Sequence, residues 1–257
     1  MSGSNEDRGR KSTLWSYVAS DIVETALFTL RMGTILSTFT FVICSLGIYG
    51  HFMYTAYLNG MMSAVLTFTL RLYQRKKEQQ VSLLSKEMYV MLATEDSAHY
   101  MLYTFFFYNQ FPTSIYLLPP LLYAIIFTHK YTDGMKRYLP PTLQSLLQRL
   151  NERLRNGQRD VFRFIAYTEI FIFLVVLWNV IIGHMFFLAP LLYYFFLKSR
   201  YLSKRNHYIK ICFSELRFAA DQLSASPRCP SFISSLIAGL VSFISQLAPI
   251  QQIPQQA

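Results

Sequence analysis

The residues of this chain that most resemble a metal or catalytic site lie in the stretch TEDSAHY. Glu95 and Asp96 precede His99 by four and three positions, so a helix would place all three on one face. A metal site needs further ligands, and the sequence supplies no other acidic or histidine cluster. A helix start explains the same residues more simply, with Thr94 as its cap and the acids in its first turn. We therefore predict a helix N-terminus here, without a metal or another cofactor.

The remaining motifs give no better case for an enzyme. His129 and Asp133 in HKYTD are close in sequence but lack the surroundings of an acyl-transfer site. The sequence contains no G-x-S-x-G elbow, no paired-histidine helix and no P-loop. His51 and His184 lie in apolar segments, where each is explained by a polar contact at a helix interface or turn. The sequence thus predicts a protein that is not an enzyme.

The elements that carry these residues are strongly apolar. Hydrophobic residues make up 53% of the 257 and charged residues only 15%, with a net charge of +10. Three stretches contain no Asp, Glu, Lys or Arg: residues 32–70, 97–129 and 170–197, called here the charge-free stretches. About 20 apolar residues cross a hydrocarbon core roughly 30 Å thick, so each stretch is long enough to insert. We predict an all-α polytopic membrane protein with three long hydrophobic segments.

The basic residues indicate how these segments are arranged. The four polar regions before, between and after them contain 4, 5, 8 and 7 Lys and Arg. Single crossings would leave twelve on each side, and the positive-inside bias would vanish. Hairpins that enter and leave on one side would place all four regions in the cytoplasm, and proline-kinked, tilted spans are the alternative. Turn-forming residues inside the stretches agree with hairpins: Gly47, Gly50, Asn59-Gly60, Pro112, Pro119-Pro120, Gly183 and Pro190.

We divide the chain into a polar N-terminal region, 1–31, a helical membrane domain, 32–197, and a basic tail, 198–257. Amphipathic cytoplasmic helices are predicted in the linkers 71–94 and 141–157, the second ending at Gly157. That second helix either packs on its own protein or lies on the membrane surface. Its apolar stripe consists of Leu143, Leu146, Leu147, Leu150 and Leu154.

The tail begins with the basic stretch KSRYLSKRNHY. Juxtamembrane Lys and Arg gain about 1 kcal/mol each from anionic cytoplasmic lipid, although an import receptor could read the same charges. The predicted lipid-binding cations are Lys198, Arg200, Lys204 and Arg205. The following sequence has amphipathic spacing, with Ile209, Cys212, Leu216, Ala219 and Leu223 on one face.

The last predicted helix, SFISSLIAGLVSFISQL, has no charged residue from Ser231 to Leu247. One half of its circumference is apolar and the other holds Ser, Gly, Ala and Gln. Without charge, its binding would depend on insertion into lipid-packing defects, which are commonest on curved membrane. The predicted membrane-binding residues are Phe232, Leu236, Leu240, Phe243 and Leu247.

The stretch TEDSAHYMLYTFFFYNQFP, from Thr94 to Pro112, is one of several that point to one known family. These stretches resemble the transmembrane protein 33 family, also called Krüppel homolog 2, which is related to fungal nuclear-pore-associated membrane proteins. The other stretches are LRLYQR, LAPLLYYFFLKSRYLSKRN, FSELR, CPSFISSL and FISQLAP, so the resemblance covers most of the chain. It implies a multi-pass protein of the endoplasmic reticulum and nuclear envelope, with amphipathic helices near the C-terminus. It also implies links to tubule architecture, reticulon-type shaping proteins, nucleoporins and nuclear pore assembly.

Three functions are therefore considered. The first is a non-enzymatic protein that shapes, senses or scaffolds curved membrane, with the lipid bilayer as its partner and no role for nucleic acid. The second is an adaptor whose tail helices dock on a protein. The third is a channel or transporter subunit, whose pathway would be lined by His51, Asn59, Asn109, Asn179 and His184.

Overall fold

The computed structural model describes residues 17–19, 21–48, 50–82, 85–203 and 207–224, together with 235 and 239. Within these ranges the chain is helical and contains no β-strand, so the predicted all-α class is confirmed. The first helix begins inside the predicted polar region 1–31. The main helices are α1 Ile22–Ile43, α2 Gly50–Gln79, α3 Lys86–Thr94, α4 Asp96–Tyr108, α5 Ser114–Met135, α6 Pro141–Ile181, α7 Ala189–Leu202 and α8 Tyr208–Ser224.

Each charge-free stretch folds as two helices joined by a turn. The turn between α1 and α2 contains Gly47, whose φ is +95°, and the turn between α6 and α7 contains Gly183, whose φ is +78°. Glycine adopts such left-handed values without the steric penalty of a Cβ atom. Pro112 lies in the turn between α4 and α5. Three of the turn-forming residues expected from the sequence are therefore at turns.

Two other expected turns are wrong. Gly60 lies within α2, where a Cβ atom would be only 3.2 Å from Leu117 Cδ2 of α5, so glycine serves close helix packing there. Pro119 and Pro120 lie in the second turn of α5 and are buried. The packed helix continues through both prolines.

Two helices of the described chain are long and apolar enough to cross a membrane: Ile22–Gly47 and Pro141–Ile181. The second charge-free stretch is divided between α4 and α5 instead of forming one long segment. The structure therefore supports two such helices where the sequence predicted three long hydrophobic segments.

The linkers differ in part from the prediction. In the linker 71–94 the structure describes the end of α2 and all of α3. Gln80, directly after α2, has a φ of +50°. The helix expected to stop at Gly157 instead continues to Ile181, so that α6 has 41 residues in all. A glycine inside a helix costs only about 1 kcal/mol, and residues beyond it, including Ile165 and Ile172, are fully buried.

The core of the bundle is aromatic, and several of its tyrosine hydroxyls donate to main-chain carbonyls. Tyr57 donates to the Phe107 carbonyl at 2.8 Å, and Tyr103 donates to the Tyr116 carbonyl at 3.0 Å. The Phe107 and Tyr116 rings stack at 4.0 Å. These contacts join α2, α4 and α5 without leaving the buried hydroxyls unpaired.

Candidate functional site at the charged end of the bundle

Charged residues from the two ends of the first charge-free stretch lie close together, and so do charged residues from the two ends of the third. Arg31 and Arg71, on either side of the first stretch, both approach Glu24, at 3.9 and 2.9 Å. Glu169 precedes the third stretch, and its carboxylate pairs with Arg200 just beyond it at 3.2 Å. Each of these stretches therefore leaves and returns at one end of the bundle.

The second stretch joins the same end. Asp96, which precedes it, pairs with Arg200 at 2.6 Å, and Arg31 donates to the carbonyl of Phe127 near its other end at 3.3 Å. We call this level the charged end of the bundle. It is built by side chains that lie far apart in sequence, so it fixes the three hairpins relative to one another.

The centre of the charged end is a buried network around Arg200. Arg200 and Glu169 are both 0% exposed. The Arg200 guanidinium also donates to the Tyr123 hydroxyl at 3.1 Å and lies 4.8 Å from the Tyr100 ring centre, while Tyr100 donates to Glu169. Four helices, α4 to α7, thus contribute to one network.

The network is suited to holding helices together. A buried charge is costly unless ion pairs and hydrogen bonds replace its lost hydration, and here they do. Ser203 completes the contacts by donating to Asp96 at 2.8 Å. Burial alone would lower the pKa of Arg200, but Glu169, Tyr123 and Asp96 together outweigh burial and raise it. The Arg200 and Glu169 side chains are enclosed and present no face to a substrate.

The prediction that Arg200 binds lipid headgroups was wrong, because its side chain is enclosed by the ion pairs just described. Lys198, two positions earlier, is exposed. The other predicted membrane-binding residues lie outside the described ranges: Lys204, Arg205, Phe232, Leu236, Leu240, Phe243 and Leu247. The sequence contained a signal for the ion pair that was missed. Glu169 directly precedes the third charge-free stretch, and Arg200 lies just beyond its other end.

The structure separates the residues of the TEDSAHY stretch. Thr94 ends α3 and donates to its own helix, so the predicted capping role was wrong, and Glu95 is the N-cap of α4. Asp96 lies in the first turn, as predicted, but contacts Arg200. The Nε2 atom of His99 lies 3.1 Å from the Ala93 carbonyl. Among the described residues, no group of three or more His, Cys, Asp and Glu could hold a metal.

The HKYTD residues belong to a surface contact between α5 and α6. The Asp133 carboxylate accepts from Asn151 at 2.9 Å and from Lys136 at 3.3 Å. The hydrogen bond from Asn151 is the main cause that lowers the pKa of Asp133, and Lys136 lowers it further. This arrangement joins the end of α5 to the long helix.

The described part of the tail docks on the bundle. Arg163 of α6 pairs with Glu215 of α8 at 2.6 Å, and Tyr167 donates to the same carboxylate. These hydrogen bonds, from Tyr167 and then Arg163, lower the pKa of Glu215. Burial raises the pKa of Cys212 to about 11. The first half of α8 is thus occupied by its own protein, whereas Leu223 near its end is 60% exposed.

The residues proposed to line a transport pathway have different surroundings. Asn59, Asn109 and His184 lie on the exposed surface. Asn179 donates to the Tyr116 hydroxyl at 3.2 Å. The side chain of His51 lies outside the described part.

The chain matches the model of the family described as "Transmembrane protein 33/Nucleoporin POM33" over residues 6–250. It is 32% identical over 237 residues to "Transmembrane protein 33" of Homo sapiens, which covers 91% of this chain and 92% of that protein. It is 29% identical to "Transmembrane protein 33 homolog" of Caenorhabditis elegans over 93% of this chain and 86% of that protein.

A third relative is "Krueppel homolog 2" of Drosophila melanogaster, 28% identical over 92% of this chain and 82% of that protein. No solved structure matches the chain. The family match spans both the charged end and all three hairpins. The chain therefore belongs to the transmembrane protein 33/nucleoporin POM33 family of membrane proteins.

Proposed function

We propose that this protein is a non-enzymatic membrane protein of the endoplasmic reticulum and nuclear envelope that shapes, senses or scaffolds curved membrane. The names of its family and relatives, which refer to a transmembrane protein and a nucleoporin, support this location. In this role it would act in tubule organisation and nuclear pore assembly. Its partners would be anionic lipids, together with reticulon-type proteins, nucleoporins or an import receptor.

The observation that carries the proposal is the exposed apolar surface at all three hairpin turns. Leu46 is 76% exposed, Phe111 62%, and Ile181 and Phe187, on either side of the third turn, 74% and 78%. Turns that emerged on the far side of a membrane would present large apolar side chains to water, which is unfavourable. The proposal therefore places the turns within the hydrocarbon and the charged end at the cytoplasmic surface.

The lengths of the second and third hairpins agree with this placement. The apolar parts of α4 and α6, residues 97–108 and 170–181, are each about 18 Å long at 1.5 Å per residue. The apolar part of α7, residues 189–197, is about 14 Å long. The hydrocarbon core is roughly 30 Å thick. The α6 helix is long enough to cross it only if its length is counted past Glu169, and in the proposed placement Glu169 and its partner Arg200 lie at the membrane surface. The charge-free parts would then end inside the hydrocarbon and add more volume to one leaflet than to the other. This asymmetry is the proposed source of curvature.

Reconstitution of the full chain into large neutral liposomes tests the proposal. Electron cryomicroscopy should show narrower vesicles or tubules as the protein-to-lipid ratio rises. The matched control has about eight leucines inserted on each side of Gly183, which lengthens both helices by about 12 Å. This variant should keep its folded charged end but lose most of the remodelling. Equal remodelling by both proteins, or by neither, would contradict the wedge mechanism.

The tail would act as the curvature sensor, through the apolar face that includes Leu240. A peptide of residues 225–257 is the appropriate probe, because the earlier half of α8 packs on the bundle. It should bind small neutral vesicles more strongly than large ones, and Leu240→Glu should abolish that preference. Equal binding at both radii would exclude curvature sensing and would favour docking of the tail on a protein.

A further inference from the structure

A cavity of about 260 Å³ opens among α1, α2, α4 and α5 at the charged end of the bundle. One part of its wall is formed by Arg31, Arg71 and the start of α4. The lining also includes apolar side chains, among them Phe68 and Phe127, whose ring centre lies 5.9 Å from the Arg31 guanidinium. The cavity therefore offers guanidinium groups, including that of Arg75, beside apolar side chains.

Arg31 is one of the residues that line this cavity. It is only 3% exposed, yet its one hydrogen bond within the described chain is from Nη1 to the Phe127 carbonyl. Its distance to Glu24 is 3.9 Å, which is too long for a hydrogen bond. Among the described residues, Nε and Nη2 of Arg31 have no acceptor. Neither nitrogen is among the fully buried, unsatisfied side-chain atoms of the described chain, so both still reach solvent and can donate to a group that enters the cavity.

Arg71 adds a second cation to the same wall. Its Nη1 pairs with Glu24 and Gln74, at 2.9 and 3.1 Å. Arg31 and Arg71 thus share the single negative charge of Glu24. Two acids at the start of α4, Glu95 and Asp96, also line the cavity, but Asp96 is already paired with Arg200.

We propose that this cavity binds the phosphate group of an anionic phospholipid, with the remaining donors of Arg31 and Arg71 holding its oxygens. Guanidinium groups present paired donors that match phosphate oxygens, and a desolvated site strengthens the interaction. The apolar side chains of the cavity would contact the glycerol and the first part of an acyl chain. Arg31 and Arg71 flank the first charge-free stretch, so the proposed site lies at the level where lipid headgroups meet the hydrocarbon. This inference rests on the proposed membrane placement but not on curvature generation.

The test uses the full chain in a neutral detergent and measures its melting temperature with added short-chain phosphatidic acid. Phosphatidylcholine of the same chain length is the neutral control, and inorganic phosphate is the soluble control. Phosphatidic acid at about 100 times its Kd should raise the melting temperature of the native chain by roughly 5 to 10 °C. Phosphatidylcholine and inorganic phosphate should each produce less than a third of that shift.

Two variants assign the effect to the cavity. Arg31→Gln should weaken phosphatidic acid binding at least tenfold, whereas Arg137→Gln, which removes a cation outside the cavity, should leave it unchanged. If Arg31→Gln does not fold, Arg31→Lys and Arg71→Gln replace it, and both should weaken binding. Unchanged binding in all the cavity variants that fold would overturn the site.

The controls also separate the possible sources of the phosphate. An equal shift with inorganic phosphate would overturn the lipid assignment. No shift with any of the three probes would overturn phosphate binding altogether. Vesicle remodelling is scored separately on the same proteins. Failure of binding alongside normal remodelling would therefore reject the cavity inference and leave the proposed function standing.

Discussion

Replacing Arg200 by methionine should strongly destabilise the protein, because the change leaves a buried carboxylate without its partner. Arg200 is 0% exposed and contacts both Glu169 and Asp96. Breaking a buried ion pair from one side costs about 3–5 kcal/mol. With about 2–4 °C lost per kcal/mol in a chain of this size, the melting temperature should fall by roughly 6–20 °C.

The matched control is Lys198→Met on the same helix. Lys198 is exposed, so its replacement should change stability by no more than about 0.5 kcal/mol. Both variants lose one positive charge from the same basic stretch, and only their burial differs. The assay is thermal unfolding of each purified variant in the same detergent, followed by tryptophan fluorescence and by size-exclusion chromatography.

The double variant Glu169→Met, Arg200→Met tests whether the two residues act through each other. Its loss of stability should be smaller than the sum of the two single losses by about 1 kcal/mol or more, because neither charge is then left facing a missing partner. An Arg200→Met protein that melts within about 2 °C of Lys198→Met would refute the reasoning. Strictly additive losses would show that the pair is not the unit that holds α6 to α7.

Three further predictions concern the turns, the tail and the long helix. Gly183→Ala should lower the free energy of unfolding by about 1–2 kcal/mol, because Gly183 has a left-handed φ of +78°. Gly157→Ala should raise it by up to about 1 kcal/mol, because Gly157 lies inside α6 and alanine favours a helix. Thermal unfolding measures both changes. The lowered pKa of Glu215 means that the contribution of this carboxylate to the docking of α8 is complete above the ordinary value of 4.5 and is lost as pH falls through the lower folded value. Hydrogen exchange in α8 should therefore rise only below about pH 4.5, and Glu215→Gln should remove that dependence. Leu146→Gln should change the free energy of unfolding by no more than about 0.5 kcal/mol, since Leu146 is 55% exposed. A loss above about 2 kcal/mol would show that the stripe packs on protein.

The sequence predicted the helical class and several turns because these depend on local chemistry. Gly47 and Gly183 adopt the left-handed backbone that glycine allows, and Pro112 interrupts a helix pattern. The predicted leucine stripe of 141–157 also occurs on a helix, where Leu143, Leu146 and Leu150 are exposed and Leu147 and Leu154 are half-buried, so most of the stripe does not pack on its own protein. Its binding to a membrane stays a prediction.

The charged end was not predicted because its contacts are non-local. Asp96 was interpreted by its place at a helix start and Arg200 by the basic residues beside it. Both interpretations used near neighbours in sequence, whereas the two residues are 104 positions apart and meet at 2.6 Å. Burial of Arg200 depends on the packing of α4 to α7, which no local pattern encodes. The continuation of α6 through Gly157 has the same cause, because tertiary packing outweighs a weak local preference.

The central claim is that all three charge-free stretches leave and return on the cytoplasmic side, and single-cysteine labelling tests it most directly. Gln79→Cys and Ser145→Cys, in the linkers after the first and second hairpins, are placed separately in a chain whose three native cysteines are replaced by serine. In sealed microsomes, an impermeant maleimide added outside should label both, and Leu46→Cys at the first turn should be labelled from neither side. Labelling of only one linker from the outside would contradict the hairpin arrangement.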